Sequence, residues 1–169
     1  MSKNKKLSIK IEEAVGILSG ETLTNAHNLI SFLHDNKMNP INTSKNGWKI
    51  ISKACVVCYI WLEPNNTLTI CPFISEYEST SLSEEFKEIV WSKKTPWSSC
   101  GTCQAIDGGH CSYKVKTVFG RRYDNACARS IVFKDPNSNE IECLKKLLEM
   151  RKNTIKTGKR LPTLPTNYI

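Results

Sequence analysis

The sequence has no apolar run approaching the roughly 20 residues that a membrane-spanning helix requires. Residues 1–10 are basic and contain no apolar stretch of the kind found in a secretory signal peptide. We therefore expect a cytoplasmic protein with no membrane partner. In that compartment thiols stay reduced, and clustered cysteines bind metal more often than they form disulfides.

Common catalytic motifs are also missing. The chain contains no Walker loop, no dinucleotide-binding glycine fingerprint, no H-E-x-x-H element and no G-x-S-x-G element. These absences argue against the corresponding nucleotide-dependent, metalloprotease and hydrolase classes. We expect no catalytic residue, although a zinc- or thiol-dependent enzyme stays open as an alternative.

Cysteines are present in number, and four of them lie within 28 residues: Cys100, Cys103, Cys111 and Cys127. Gly101 allows the sharp turn that a C-x-x-C pair needs to bring two sulfurs to one ion. Four thiolates at such spacing predict one tetrahedral structural zinc. The same cysteines could instead be ordinary buried thiols.

A predicted β-hairpin carries Cys127 towards the other cysteines. Residues 112–119 and 123–133 have the composition of strands, with a bend at Gly120 and Arg121. Pairing about this bend puts Cys127 opposite Lys114, three residues from Cys111, so a bulge or an early end to the pairing is needed. His110 is the substitute ligand if Cys127 points elsewhere. A site of three thiolates and water would favour an enzyme.

A second C-x-x-C, formed by Cys55 and Cys58, lies inside a β-branched run without glycine. In a strand, an offset of three residues directs two side chains to opposite faces, so this pair should not share a zinc ion. We expect one of the two in the core as a small apolar residue, and we expect the same of Cys71.

The 169 residues fit one α+β domain at 9–157, between a disordered N-terminus at 1–8 and an extended tail at 158–169, with the metal loop at 97–127. Helical periodicity is found near 9–18, 21–36 and 84–91, and after Asp135 and Pro136. Strand patterns at 48–52, 54–62 and 67–73 predict a three-strand meander. With the late hairpin, this gives an antiparallel sheet of about five strands covered by helices.

Two groups of residues are candidates for binding a partner. Trp91 and Trp97 precede the metal loop, and Arg151 interrupts the apolar stripe of the last helix, so these three could line a ligand site. The basic residues near them could bind nucleic acid: Lys93, Lys94, Arg121 and Arg122. Structural packing of the tryptophans and a structural ion pair for Arg151 are the alternatives. The net charge of +8 favours solubility and weak attraction to polyanions.

The order of elements resembles that of small uncharacterised bacterial α+β proteins, which are known only as domains of unknown function. The resemblance is carried by Gly47-Trp48-Lys49 at a strand start, by the meander, and by the closing helix around Leu144–Lys152. It implies a fold layout and no activity. The sequence therefore predicts a structural zinc site in a module that binds a small ligand or a protein, with a nucleic-acid binder as the alternative.

Overall fold

The computed structural model describes residues 9–73, 82–94, 114–126 and 131–156. In chain order they form α1 (Ile11–Ala14), a 3-10 turn (Val15–Ile17), α2 (Gly20–Asp35), β1 (Asn39–Ser44), β2 (Gly47–Ser52), β3 (Cys55–Leu62), β4 (Leu68–Pro72), α3 (Glu84–Ser92), β5 (Lys114–Val118), β6 (Arg121–Ala126), β7 (Phe133–Lys134) and α4 (Ser138–Lys156). The predicted N-terminus at 1–8 and tail at 158–169 lie outside the described residues. So does the predicted metal loop at 97–127, apart from its hairpin.

Five antiparallel strands form the main sheet, in the order β1-β2-β3-β4-β7. The predicted α+β class and the five-stranded antiparallel sheet are thus confirmed. The membership of the sheet differs from the prediction, because β1 and β7 flank the meander. Among the described residues, the late hairpin pairs only with itself, as a separate two-stranded sheet β5-β6.

Strand β1 is not among the predicted strands, because Asn39 and Pro40 at its start are typical of a turn and not of a strand. Helix α2 does end at Asp35, but the chain then pairs with β2 along the edge of the sheet. An edge strand has ladder partners on one side alone, and a proline that lacks its N–H is tolerated there. The proline therefore stops the helix without preventing a strand.

Helix α4 packs on β3 and β4 and contacts both α2 and α3. Its predicted apolar stripe is buried, with each of the following side chains at most 1% exposed: Ile141, Leu144, Leu147 and Leu148. Burying a side chain of this size contributes about 1.5–3 kcal/mol, so α4 is the main cover of the sheet. Strand β4 is buried along its whole length, which fits a central strand covered on both faces.

The start of α4 corrects one detail of the sequence interpretation. The Asn137 side chain accepts a hydrogen bond from the Glu140 backbone N–H at 3.0 Å, and the Glu140 carboxylate accepts one from the Asn137 N–H at 3.1 Å. This reciprocal arrangement is a capping box. Asp135, two residues before Asn137, instead accepts from the Leu68 N–H at 2.8 Å and so extends the pairing of β7 with β4.

Helix α2 fixes the position of α4 through a buried polar contact. The Asn25 side chain is 2% exposed, and its Nδ2 donates to the carbonyl of Pro136 at 2.9 Å. Glu21, one turn earlier, accepts from the Ser138 N–H at 3.3 Å. The first turn of α4 is therefore anchored by hydrogen bonds as well as by apolar packing.

Candidate functional site

Helix α3 leads into the cysteine segment and positions the first candidate residues. Ser83 caps its N-terminus by accepting from the Phe86 N–H at 3.3 Å, and Glu84 and Glu85 in the first turn favour the helix dipole. Val90 is fully buried, while Trp91 is half-buried and packs against the core. The helix therefore presents the Trp91 indole at its C-terminal end, between the core and the surface.

Two predicted cations meet at the Trp91 ring. The Nζ of Lys94 lies 4.8 Å from the ring centre, and the Cζ of Arg121 lies 5.4 Å from it. Both distances are within the range of cation–π contacts. The structure thus places two of the four predicted nucleic-acid residues, Lys94 and Arg121, at the ring of Trp91, which belongs to the predicted ligand site. Arg121 is 30 residues away from Trp91 in the sequence.

Arg121 also pairs with Glu88 on α3. Its Nη1 donates to Oε2 of Glu88 at 3.0 Å, and its Nη2 donates to Oε1. Hydrogen bonding to Arg121 holds the pKa of Glu88 below its ordinary value, and the same contact raises the pKa of Arg121. The pair attaches the tip of the β5-β6 hairpin to α3.

The other two predicted nucleic-acid residues have different environments. Lys93 forms an ion pair with Glu140 of α4, and its Nζ lies 5.8 Å from the centre of the Phe133 ring. Arg122 is exposed at the start of β6. Two of the four cations, Lys93 and Arg121, therefore form ion pairs with carboxylates, those of Glu140 and Glu88.

Sequence reasoning missed the two carboxylates of this region, Glu88 and Glu140. A signal for Glu88 was present, because it lies three residues before Trp91 and so on the same face of α3. The pairing of Glu140 with Lys93 had no sequence signal, since the two residues are 47 positions apart and meet only when α4 packs beside α3.

Arg151 lies elsewhere in the molecule. Its side chain is 7% exposed, and its Cζ lies 5.9 Å from the centre of the Phe73 ring, which in turn is 5.7 Å from the Tyr59 ring. Trp91 and Arg151 therefore contact different partners. Trp97, the third residue of the predicted ligand site, lies outside the described residues.

The turn of the hairpin is formed by Phe119 and Gly120, one residue earlier than predicted. Both residues have positive φ, 51° and 75°, as a two-residue turn of the hairpin type requires. Val118, just before the turn, is 7% exposed and belongs to the core cluster. The hairpin is thus fastened at its tip by apolar packing and by the pair of Arg121 with Glu88.

The far end of the hairpin borders the predicted metal ligands. Lys114 pairs with Ala126, and the register is irregular between Lys114 and Lys116. Cys111 precedes Lys114 by three residues, and Cys127 directly follows Ala126. The four predicted zinc ligands and the substitute His110 all lie outside the described residues.

A second backbone pairing lies at the other end of the segments that contain the predicted metal ligands. Lys94 forms an isolated antiparallel bridge with Ile131, and the Val132 N–H donates to the Lys93 carbonyl at 3.0 Å. Two connections therefore run between the same two residue pairs, Lys94 with Ile131 and Lys114 with Ala126. The long connection is 95–113 and the short one is 127–130. The short connection spans five Cα steps, so its ends at Ala126 and Ile131 are at most about 18 Å apart.

The cysteines of the described residues behave as predicted. Cys55 is exposed, whereas Cys58, Cys71 and Cys143 are buried. Burial raises the pKa of Cys58 well above its ordinary value, and burial raises the pKa of Cys143 to about 12. The opposite environments of Cys55 and Cys58 confirm that this C-x-x-C does not form a shared site. In the described ranges no group of three or more Cys, His, Asp or Glu side chains could hold a metal ion.

A cavity beneath the N-terminal segment is too small for a ligand. Its volume is about 10 Å³, and its lining is wholly apolar: Ile11, Val15, Ala26, Leu29, Ile30, Ile60 and Leu68. That volume is about the space of one water molecule, whereas pockets for small ligands usually measure some 300–1,000 Å³. The cavity is a packing defect between α1, α2 and the sheet.

Comparison of the chain with protein-family models, curated protein sequences and solved structures found no match. The resemblance of its layout to uncharacterised bacterial α+β proteins stays a prediction. Within the described parts of the chain, no helix combines the length and the apolar character needed to cross a bilayer.

Proposed function

We propose that the chain is a non-enzymatic, cytoplasmic binding protein in which Cys100, Cys103, Cys111 and Cys127 hold one structural zinc ion at the base of the β5-β6 hairpin. The observation that carries this proposal is the pairing of Lys114 with Ala126. It supports a common metal centre, because Lys114 follows Cys111 by three residues and Ala126 directly precedes Cys127.

Chain lengths support the same arrangement. Paired Cα atoms of antiparallel strands lie about 4.5–5.5 Å apart, Cys127 is one step beyond Ala126, and Cys111 is three steps before Lys114. The remaining ligands belong to the connection 95–113, whose twenty Cα steps could reach about 70 Å, whereas its ends at Lys94 and Lys114 are at most about 29 Å apart, which is 18 Å plus two pairing distances of about 5.5 Å. The connection is therefore long enough to bring its cysteines back to a common centre. Gly101 provides a turn for the C-x-x-C pair.

Four thiolates complete a tetrahedral zinc site and leave no coordination position for a substrate or water. The metal is then structural, and it would lower the net charge of the chain from +8 to about +6, since four thiolates and one zinc contribute −4 + 2 = −2. His110 is the substitute ligand if Cys127 is not bound. A zinc- or thiol-dependent enzyme, in which three thiolates and a water hold the metal, is the alternative. Reduced thiols suit the cytoplasm.

A macromolecular partner suits the geometry better than a small ligand. Trp91 contacts Lys94 and Arg121, whereas Arg151 contacts Phe73, and the cavity beneath α1 has room for about one water molecule. The hairpin tip, by contrast, is exposed at Gly120, Arg121 and Arg122. A surface of this kind can be recognised by a protein or a polymer without a pocket.

Metal analysis and native mass spectrometry test the proposal directly. We expect one zinc per chain in the purified protein, and loss of that zinc when Cys100 or Cys111 is replaced by serine. The matched control is Cys55→Ser, which removes a cysteine of the other C-x-x-C and should leave the zinc content unchanged. A chain that contains no tightly bound metal, or a Cys55→Ser variant that loses it, would show that the proposal is wrong.

A further inference from the structure

The main sheet has one face that is directed away from the helices. On β2 and β3, alternate side chains are buried in the core cluster that also contains the helix residues: Trp48, Ile50, Ile60 and Leu62. The side chains between them, those of Lys49, Tyr59 and Trp61, are half-buried. Successive side chains of a strand point to opposite faces, so these three residues lie together on the second face, which we call the outer face.

Strand register sets the neighbours on the outer face. Lys49 is paired directly with Tyr59, and Gly47 is paired directly with Trp61. Directly paired side chains have Cβ atoms about 4.5–5.5 Å apart, so Lys49 lies beside Tyr59 and one row from Trp61. Because Gly47 has no side chain, the Trp61 indole has no side-chain neighbour directly opposite on β2. Two aromatic rings and a lysine are thus next to each other on two neighbouring strands.

The accessible part of the outer face belongs to the first three strands. On β4, Cys71 pairs with Tyr59 on the same face and is fully buried. On β1, Ile41 pairs with Lys49 and is 39% exposed. This row is therefore buried at β4 and exposed at β1, with Tyr59 and Lys49 half-buried between the two ends.

The charge of the main sheet has the sign that attracts polyanions. Residues 39–72 and β7 together contain four lysines and one carboxylate, a net charge of +3. The helical segments carry −1 in total: −3 for 9–35, zero for 82–94 and +2 for 138–156. The positive charge of these two layers therefore lies in the sheet, and a polyanion is attracted to that side.

Three of the four lysines follow strand β2. The one carboxylate, Glu63, forms an ion pair with Lys134 of β7. The other three lie in the turn before β2, in its middle and in the turn after it: Lys45, Lys49 and Lys53. The late hairpin at 114–126 also carries +3, so charge alone does not select a surface, whereas the aromatic rings beside Lys49 do.

We propose that the outer face binds single-stranded nucleic acid, with bases stacked on Trp61 and Tyr59 and a phosphate held by Lys49. Every base has an aromatic face, and rings beside cations bind single strands without sequence preference. The Tyr59 ring is held for this role by Phe73, whose ring centre is 5.7 Å away. A duplex keeps its bases stacked on one another, so it would offer this face only its phosphates.

The outer face supplies the partner of the proposed binding protein. It rests on that proposal only in that the chain acts by binding, because none of its residues is a proposed zinc ligand. Ionic contacts to phosphate weaken as salt is added, whereas base stacking does not release counterions. The two kinds of contact can therefore be separated in one titration.

The test uses the full chain and fluorescein-labelled 20-residue oligo(dT) and oligo(U), with anisotropy measured between 0.05 and 0.2 M salt. For single strands the salt slope is about 0.7 per phosphate contact. Lys49→Gln should therefore reduce the slope by about 0.7. The affinity at 0.1 M salt should fall by about 5-fold, which is 10^0.7, relative to a reference at 1 M salt where ionic contacts contribute nothing.

Trp61 is tested by two substitutions. Trp61→Leu removes the ring but keeps an apolar side chain, and it should lower the affinity by at least about 5-fold while the salt slope stays unchanged. Trp61→Phe keeps an aromatic face and should stay within about 3-fold of the unaltered chain. A role in packing alone would not separate the two variants, and far-UV circular dichroism checks that both are folded. If Trp61→Leu does not fold, the comparison of Lys49→Gln with its control decides the proposal.

The matched control for Lys49→Gln is Lys146→Gln, which removes one positive charge from a side chain that is 62% exposed on α4. It should keep its salt slope and should keep its affinity within about two-fold, because non-specific attraction alone would be lost equally in both variants. Equal losses in the two lysine variants would overturn the proposal. So would tighter binding of a duplex of the same length, or equal binding by folded Trp61→Leu and the unaltered chain.

Zinc content is measured in the same samples, so the two proposals fail separately. Zinc-loaded protein that shows no salt-sensitive binding overturns binding at the outer face and leaves the zinc site standing. Protein without zinc whose binding is weakened in Lys49→Gln and kept in Lys146→Gln overturns the zinc site and supports the outer face.

Discussion

The eight cysteines of the chain should react with an alkylating reagent in three steps. Cys55 is exposed, and three others are buried: Cys58, Cys71 and Cys143. The remaining four are the proposed zinc ligands. We expect one labelled cysteine in the native metal-loaded protein, five after chelation, which is 1 + 4, and eight in denaturant, which is 5 + 3.

The rate at which a buried thiol is alkylated follows from its pKa. Alkylation proceeds through the thiolate, and at pH 8 a thiol with a pKa of about 12, as for Cys143, is ionised to about one part in 10⁴. A thiol at the ordinary value of 9.0 is ionised to about one part in ten. The difference in ionisation alone therefore slows the labelling of Cys143 by about 10³-fold relative to an unperturbed thiol.

The assay is N-ethylmaleimide labelling followed by intact mass and peptide mapping, with far-UV circular dichroism recorded after chelation. The variant Cys55→Ser should show no labelling in the native metal-loaded state. Labelling of Cys100 or Cys111 at the rate of Cys55 before chelation would refute the reasoning, because zinc-bound thiolates are protected. A single cysteine in the cluster that reacts much faster than Cys55 would instead favour the enzyme alternative.

Three further variants test the placement of particular residues. Asn137→Ala should lower the free energy of unfolding by about 1 kcal/mol in urea titration, because it removes the cap of α4. Leu144→Ala should lower the free energy of unfolding by about 2–5 kcal/mol. The control Ile41→Ala changes an exposed side chain on the edge strand and should change that free energy by about 0.5 kcal/mol. Equal losses in the two variants would contradict the assigned burial. Glu88→Gln should speed amide hydrogen exchange at the hairpin tip, as should added salt in the unaltered protein. Because the pKa of Glu88 is lowered, its ion pair should be intact above pH 4.5 and lost as the pH falls below that lowered pKa. Unchanged exchange in Glu88→Gln would show that the hairpin is held by apolar packing alone.

Local patterns predicted most elements of the fold. The helical periodicity of α2, α3 and α4 depends on residues within a few turns, and all three helices are found. The meander also follows from local signals, since its strands are β-branched and are separated by turn residues. The opposite burial of Cys55 and Cys58 followed from strand alternation alone.

The arrangement of strands could not be predicted in the same way. Nothing in the composition of β1 distinguishes an edge strand containing Pro40 from a loop, and the two-residue β7 is too short to give a pattern. The separation of the hairpin from the main sheet depends on which edge is already occupied, and β7 occupies that position beside β4.

Part of the candidate site could likewise be predicted from the sequence, and part is visible only in the structure. The sequence shows the cysteine spacing, which predicted the zinc cluster. It also shows the basic residues near Trp91 and at the hairpin bend, which gave the four candidate cations. The pairing of Lys93 with Glu140 and of Arg121 with Glu88 is decided by the packing of α3 against α4 and the hairpin. A carboxylate 33 or 47 positions away carries no local signal of its partner.

The sequence by itself determined the helices and the strands of the meander, because periodicity is a property of short stretches, and the cysteine spacing predicted the zinc ligands. The tertiary structure decided the membership of the sheet, the contact of the hairpin with α3, and the ion pairs of Lys93 with Glu140 and of Arg121 with Glu88. These depend on pairings between distant segments, whose free energies are realised only when the whole chain has folded.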